Sequence, residues 1–277
     1  MIATIVYGLT IGGILYIISI GLSLTFGTMK IVNFAHALVY TIGAYVLIAS
    51  MRVLGIGFLP SVLVAVALAL PISWLIEAFV IRRLYGESLD YAIIATFAVL
   101  LIGVDAIKWI WGATPISLSD PIGRDLEILG VVLPVYRLVI ISAALVVHAG
   151  LVLFFRRTVV GKIVVAGLDD KDAVRAMGID ADRYFSIIFV LGSGLAALGG
   201  ILYAPITSVH PYMGFQILLL CFAVVIVGGM GSLQGTFLAS FGLGMMISLT
   251  GRFWGPAAET MVFAVMAVAL ILRPLEM

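Results

Sequence analysis

Residues 2–26 read IATIVYGLTIGGILYIISIGLSLTF, twenty-five positions without a single charged side chain. A membrane-spanning helix needs about 20 mainly apolar residues, so this run is long enough to cross a bilayer. It is also too long for the apolar core of a removable signal peptide. No Lys or Arg precedes it, and the reading is therefore a retained membrane anchor. The same pattern recurs along the chain. Apolar segments at 32–50, 58–81, 91–111, 134–155, 184–204, 216–230, 235–250 and 256–272 bring the count of candidate membrane segments to eight or nine, two of them (216–230 and 235–250) short. In hydrocarbon every backbone N–H and C=O must be paired inside its own segment, which predicts helices throughout and an all-α, polytopic transmembrane bundle including short or broken helices.

Composition leads to the same class. Of 277 residues 64% are hydrophobic and 10% charged, and mean hydropathy is +1.28. A soluble domain carries about 25% charged residues, more than twice this share. Net charge is +1, which offers nothing to nucleic acid. The one cysteine, Cys221, lies in an apolar run and reads as a small buried hydrophobe. It leaves no internal disulfide and no cysteine-based metal site. The histidines His36, His148 and His210 are widely scattered, and neither HExxH nor GxSxG occurs. No metal site and no catalytic constellation is predicted, so the expectation is a protein that is not an enzyme.

Lys and Arg in short loops set orientation. With nine alternating segments and the N-terminus outside, Lys30, Arg82, Arg83, Arg156, Arg157, Lys162, Lys171, Arg175, Arg183 and Arg273 fall on the cytoplasmic side. Arg52, Lys108, Arg124, Arg137 and Arg252 fall on or near the outer side. The outer connection 112–133 is expected to be a solvated loop or a contact for an external partner.

The connection 156–183, RRTVVGKIVVAGLDDKDAVRAMGIDADR, is long for a small membrane protein. Asp169 and Asp170 can cap a helix start, Asp172 sits in its first turn, Arg175 near its last, and Gly178 can stop it in a left-handed conformation. This predicts about two helical turns near 170–177. Ala173, Val174 and Met177 are expected on one face, suited either to docking into a cleft of a cytoplasmic protein or to lying on the bilayer. Few apolar and many acidic residues disfavour anionic lipid.

The runs Asn33-Phe34-Ala35-His36 and Gly228-Gly229-Met230-Gly231-Ser232-Leu233-Gln234-Gly235 interrupt apolar segments near opposite ends of the chain. Gly-broken segments in corresponding halves mark candidate transport paths. Asn33, His36, Gly229, Gly231, Ser232 and Gln234 are therefore candidate path residues, the competing reading being plain helix packing. Glu77 reads as a snorkelling carboxylate paired with a boundary Arg. Asp105 and Lys108 read as a structural pair, and His148 as a satisfied core histidine. Gly192, Ala196 and Gly200 share one helix face and predict a close helix crossing.

Three stretches in register resemble the branched-chain amino-acid (Liv-type) ABC permeases: FGTMKIVNFAHALVYTIGAY (26–45), AGLDDKDAVRAMGIDADRYFSIIFVLGSGLAALGGILYAP (166–205) and VVIVGGMGSLQGTFLASFGLG (224–244). Ala173, Gly178 and Ile179 match the family's coupling helix, and Arg183, Leu195, Ala196, Gly199 and Gly200 the helix after it. Ala37 stands where the family usually has Gly. The resemblance implies a single permease domain over 1–277, with a cytoplasmic coupling loop at about 156–183 using Asp170, Ala173, Val174, Met177 and Gly178. It implies an importer for branched-chain amino acids or a similar small solute in the bacterial inner membrane. The implied partners are a second homologous permease, two ATP-binding subunits that hold ATP and Mg, and a periplasmic substrate-binding protein, with lipid around the helices. The chain itself has no GxxxxGK[ST] phosphate loop. The alternative is a stand-alone secondary carrier of small polar solutes, which would need its own coupling-ion site.

Overall fold

The structure, a computed structural model, describes residues 1–128 and 130–272. Helices α1 (Ile2–Met29), α2 (Ala35–Val53), α3 (Phe58–Phe79) and α4 (Leu89–Trp111) form the first half. A hairpin of β1 (Asp125–Ile128) and β2 (Val131–Pro134) leads into α5 (Val135–Arg157). Two short helices follow, α6 (Val159–Asp169) and α7 (Lys171–Ala176), then α8 (Ala181–Tyr203), α9 (Met213–Gly228), α10 (Leu233–Phe253) and α11 (Ala258–Leu272). All nine apolar segments read from the sequence are helical. Eight spans among the described residues are long and apolar enough to cross a membrane, while α9 is a shorter apolar helix. The segment at 235–250 is longer than expected, because α10 extends at both ends to 21 residues. Arg273, placed inside by the charge pattern, lies outside the described residues.

Helix α1 is the axis of the bundle. It is apolar on every side, yet most of it is buried in protein rather than facing lipid. Apolar side chains gain little by leaving lipid for protein, so such packing depends on close backbone approach. Glycines supply it. A Cβ at Gly12 would lie 2.8 Å from Phe241 Cα of α10, and one at Gly192 of α8 would lie 2.8 Å from the Gly21 carbonyl of α1. The expected small-residue face of Gly192, Ala196 and Gly200 serves two partners: Gly192 meets α1 and Gly200 meets Tyr40 of α2, while Gly199 beside it meets Ile18 of α1. By contrast α5 and α11 expose most of their surface.

Contacts along α1 and α8 run in opposite order, Gly21 to Gly192 and Ile18 to Gly199, so these two helices are antiparallel. Helix α9 begins beside the C-terminal end of α4, where Tyr212 accepts a hydrogen bond from Lys108. It ends where Gly231 packs on Gly27, near the C-terminal end of α1. The connection between α4 and α5 is more ordered than a plain loop. Asp120 Oδ1 accepts from the amides of Ile122 and Gly123, turning the chain into the hairpin. Ile116 pairs with Val209 in a bridge to the segment after α8.

The orientation has a direct check. In a Cys221→Ala background, Asp172→Cys should resist an impermeant maleimide added to intact cells and react in inside-out vesicles. Arg124→Cys, on the exposed hairpin, should react from outside. The reverse pattern would invert the topology.

Candidate functional site: the broken helices and the α6–α7 connection

The two interrupted segments brace the same stretch of α1. His36, at the start of α2, is fully buried, and its Nε2 pairs with the Ile18 carbonyl at 2.9 Å. Asn33 is 1% exposed, and neither of its amide atoms has a protein partner. Phe34 packs on Phe97 of α4 and Phe222 of α9. These residues lie buried within the bundle. The His36 ring lies against Gly21 of α1, beside the α1–α8 crossing.

At the second break, Gly229 and Gly231 have φ of +87° and +78°, a conformation open to glycine and strained for other residues. Ser232 caps α10, its Oγ accepting the Gly235 amide at 3.0 Å. The Gly231 amide donates to Ser23 Oγ of α1 at 3.0 Å, and Thr236 bonds the same oxygen at 3.1 Å. Ser232 therefore satisfies a helix end, and Gln234 is the exposed polar group of the set. Leu168 of α6 touches this corner as well: a Cβ at Gly27 would lie 2.7 Å from Gly231 Cα and 3.2 Å from Leu168 Cδ2. The α6–α7 connection thus reaches the broken helix directly.

That connection is more helical than expected. The stretch 159–169, read as loop, is α6, whose Thr158 cap accepts the Gly161 amide at 2.9 Å. The second helix matches the expected 170–177 closely. Asp170 Oδ1 accepts from the amides of Asp172 and Ala173, and Gly178 follows with φ +79°. One face differs from expectation. Val174 is 2% exposed, packed with Ala181 and Phe185 of α8, while Met177 is 68% exposed and Ala173 faces outward. A helix this short must bury one side against its own protein to persist. Val174 is that anchor and does not share the outer face with Ala173 and Met177. Arg175 donates to Asp182 Oδ2 at 2.6 Å, a contact that holds its guanidinium above the usual arginine range.

Two other polar groups in the spans have partners. Lys108 pairs with Asp105, and His148 Nδ1 bonds Tyr16 OH at 2.8 Å. Glu77 is the exception to its reading. It does not snorkel; it is fully buried and held by Arg82, Tyr85 and Ser186. Burial, reinforced by the carboxylate beside it, raises the Tyr85 phenol above its ordinary range, so it stays protonated and donates.

Comparison with known proteins agrees with this architecture. No solved structure gives a significant match. The permease protein LivH of the high-affinity branched-chain amino acid transport system of Salmonella typhimurium (strain LT2) is 26% identical over 96% of this chain and 92% of its own. BraD of Pseudomonas aeruginosa, named for the same system, is 27% identical over 98% and 93%. A probable branched-chain amino acid transport permease protein, LivM of Methanocaldococcus jannaschii, is 27% identical over 82% and 75%. The family model described as branched-chain amino acid transport system, permease component, matches residues 4–272. With eight helices among the described residues long and apolar enough to cross a membrane and that match over nearly its whole length, the chain belongs to the family of branched-chain amino acid transport permease components.

Proposed function

We propose that this chain is one membrane subunit of a binding-protein-dependent ABC importer in the bacterial inner membrane, forming half of a path for branched-chain amino acids. The observation that carries the reading is the α6–α7 unit. It is capped by Asp170, anchored by Val174 and closed by Gly178, and it presents Ala173 and Met177 outward. Such a knob suits a cleft on a cytoplasmic ATP-binding subunit, which would hold ATP and Mg. Leu168 rests near Gly231, so motion of the knob reaches the break between α9 and α10. Gly229 and Gly231 would let that corner bend, with Ser232 keeping the α10 end paired.

The second half of the path would come from a homologous permease. Asn33 and His36 are buried in this chain, and α4 turns large apolar side chains such as Tyr91, Ile94 and Ile102 outward. Those residues offer a surface for a second subunit. A periplasmic binding protein would deliver the solute at the outer face.

The test is reconstitution. Liposomes with this chain, its partner permease, both ATPases and the binding protein should accumulate leucine, isoleucine or valine only with ATP. Ion-driven accumulation by this chain alone would instead establish the secondary carrier.

A further inference from the structure

Glu77 is an ionisable group that packing alone does not call for. It sits in the last turns of α3, fully buried. Arg82, in the turn after α3, donates to it from Nε at 3.3 Å and from a terminal nitrogen at 3.2 Å. Tyr85, further along the same connection, donates at 3.2 Å. The fourth hydrogen bond comes from Ser186 of α8, whose Oγ lies 2.5 Å from Oε1 and also accepts from Arg82 at 3.3 Å. One turn earlier on α8 is Asp182, bonded to Arg175 of α7. Two polar joints therefore connect three elements: α7 to α8 through Arg175 and Asp182, and α8 to α3 through Ser186 and Glu77. A single helical turn separates the joints.

An apolar contact can slide; a carboxylate held by four directed hydrogen bonds cannot move without breaking them. We propose that Glu77 is a positioning residue that locks the inner ends of α3 and α8 together, so that a displacement of α7 carries both helices as one body. The proposal rests on the importer reading above and names the element through which motion of the ATPases enters the membrane. The α7 surface offered to the ATPase is untouched by Glu77, so docking and transmission are separable.

The experiment uses the reconstituted complex and reads two quantities: ATPase retained on purification, and solute taken up per ATP hydrolysed. Glu77→Gln keeps the shape of the side chain and removes its charge. Retention should equal wild type, while uptake per ATP falls by about tenfold, within the range that altering a coupling element produces. Glu77→Asp, which keeps the charge on a shorter arm, should fall between. An unchanged uptake-to-ATP ratio in Glu77→Gln overturns the proposal. If that variant fails to assemble because Arg82 is left unpaired, Glu77→Gln with Arg82→Gln removes both charges. This double variant should assemble and remain uncoupled. A wild-type ratio in it, or failure of both variants to assemble, also overturns the proposal, since Glu77 would then serve charge balance or folding alone. Failure of the importer reading looks different: the wild-type complex would itself show no ATP-dependent uptake.

Discussion

Leucine at position 192 is expected to destabilise the protein by about 3 kcal/mol, the upper part of the usual range for over-packed interiors. At this crossing two glycines face each other. A Cβ on Gly192 would lie 2.8 Å from the Gly21 carbonyl oxygen and 3.1 Å from Gly21 Cα, distances that backbone atoms cannot relieve by changing rotamer. Helix α1 cannot retreat, because Gly12 and Gly244 fix its opposite side against α10. The chain must separate α1 from α8, and the contact of His36 with Ile18 goes with it. The measurement is the unfolding midpoint of purified protein in detergent. Gly192→Ala should fall part of the way. Gly150→Leu, with nothing within 4 Å of its added Cβ, should match wild type. Equal midpoints for Gly192→Leu and Gly150→Leu would remove the close crossing from the account of this fold.

The second large effect is on assembly. Ala173→Glu places a carboxylate on the outward face of α7, where contact with an ATPase would strip its water. Ala173 is exposed in this chain, so folding and insertion should be unaffected. ATPase retention on purification should fall by about tenfold or more, which corresponds to ~1.4 kcal/mol of lost contact. Gly178→Val acts through the backbone. Its φ of +79° costs a β-branched residue about 1–3 kcal/mol, so the turn after α7 should be misdirected and docking weakened as well. Full retention and full uptake in both variants would mean that α7 is not the coupling element.

The membrane helices were legible because their cause is local. A long apolar run in lipid has one way to pair its own backbone, and each run identified by composition is a helix. Asp170 and Gly178 were legible for the same reason: a cap acts on amides two and three residues away, and a positive φ belongs to its own residue. Helix α6 carried a local sign too, Thr158 placed three residues before Gly161, although its apolar run is short and was read as loop.

What the sequence could not display are choices between equivalent local faces. Val174 and Met177 are both apolar on one small helix. Val174 is buried only because α8 brings Ala181 and Phe185 beneath it. Asn33 and His36 interrupt an apolar stretch, and their burial, with His36 against Gly21 of α1, depends on helices distant in sequence. Glu77 looks like any boundary carboxylate until Ser186, 109 positions later, is brought beside it. Composition and backbone pairing determined by themselves that this chain is a membrane bundle with a capped helical loop between two spans. Which polar groups face inward was decided by the tertiary structure alone, because burial depends on partners that are distant in sequence and brought together by helix packing.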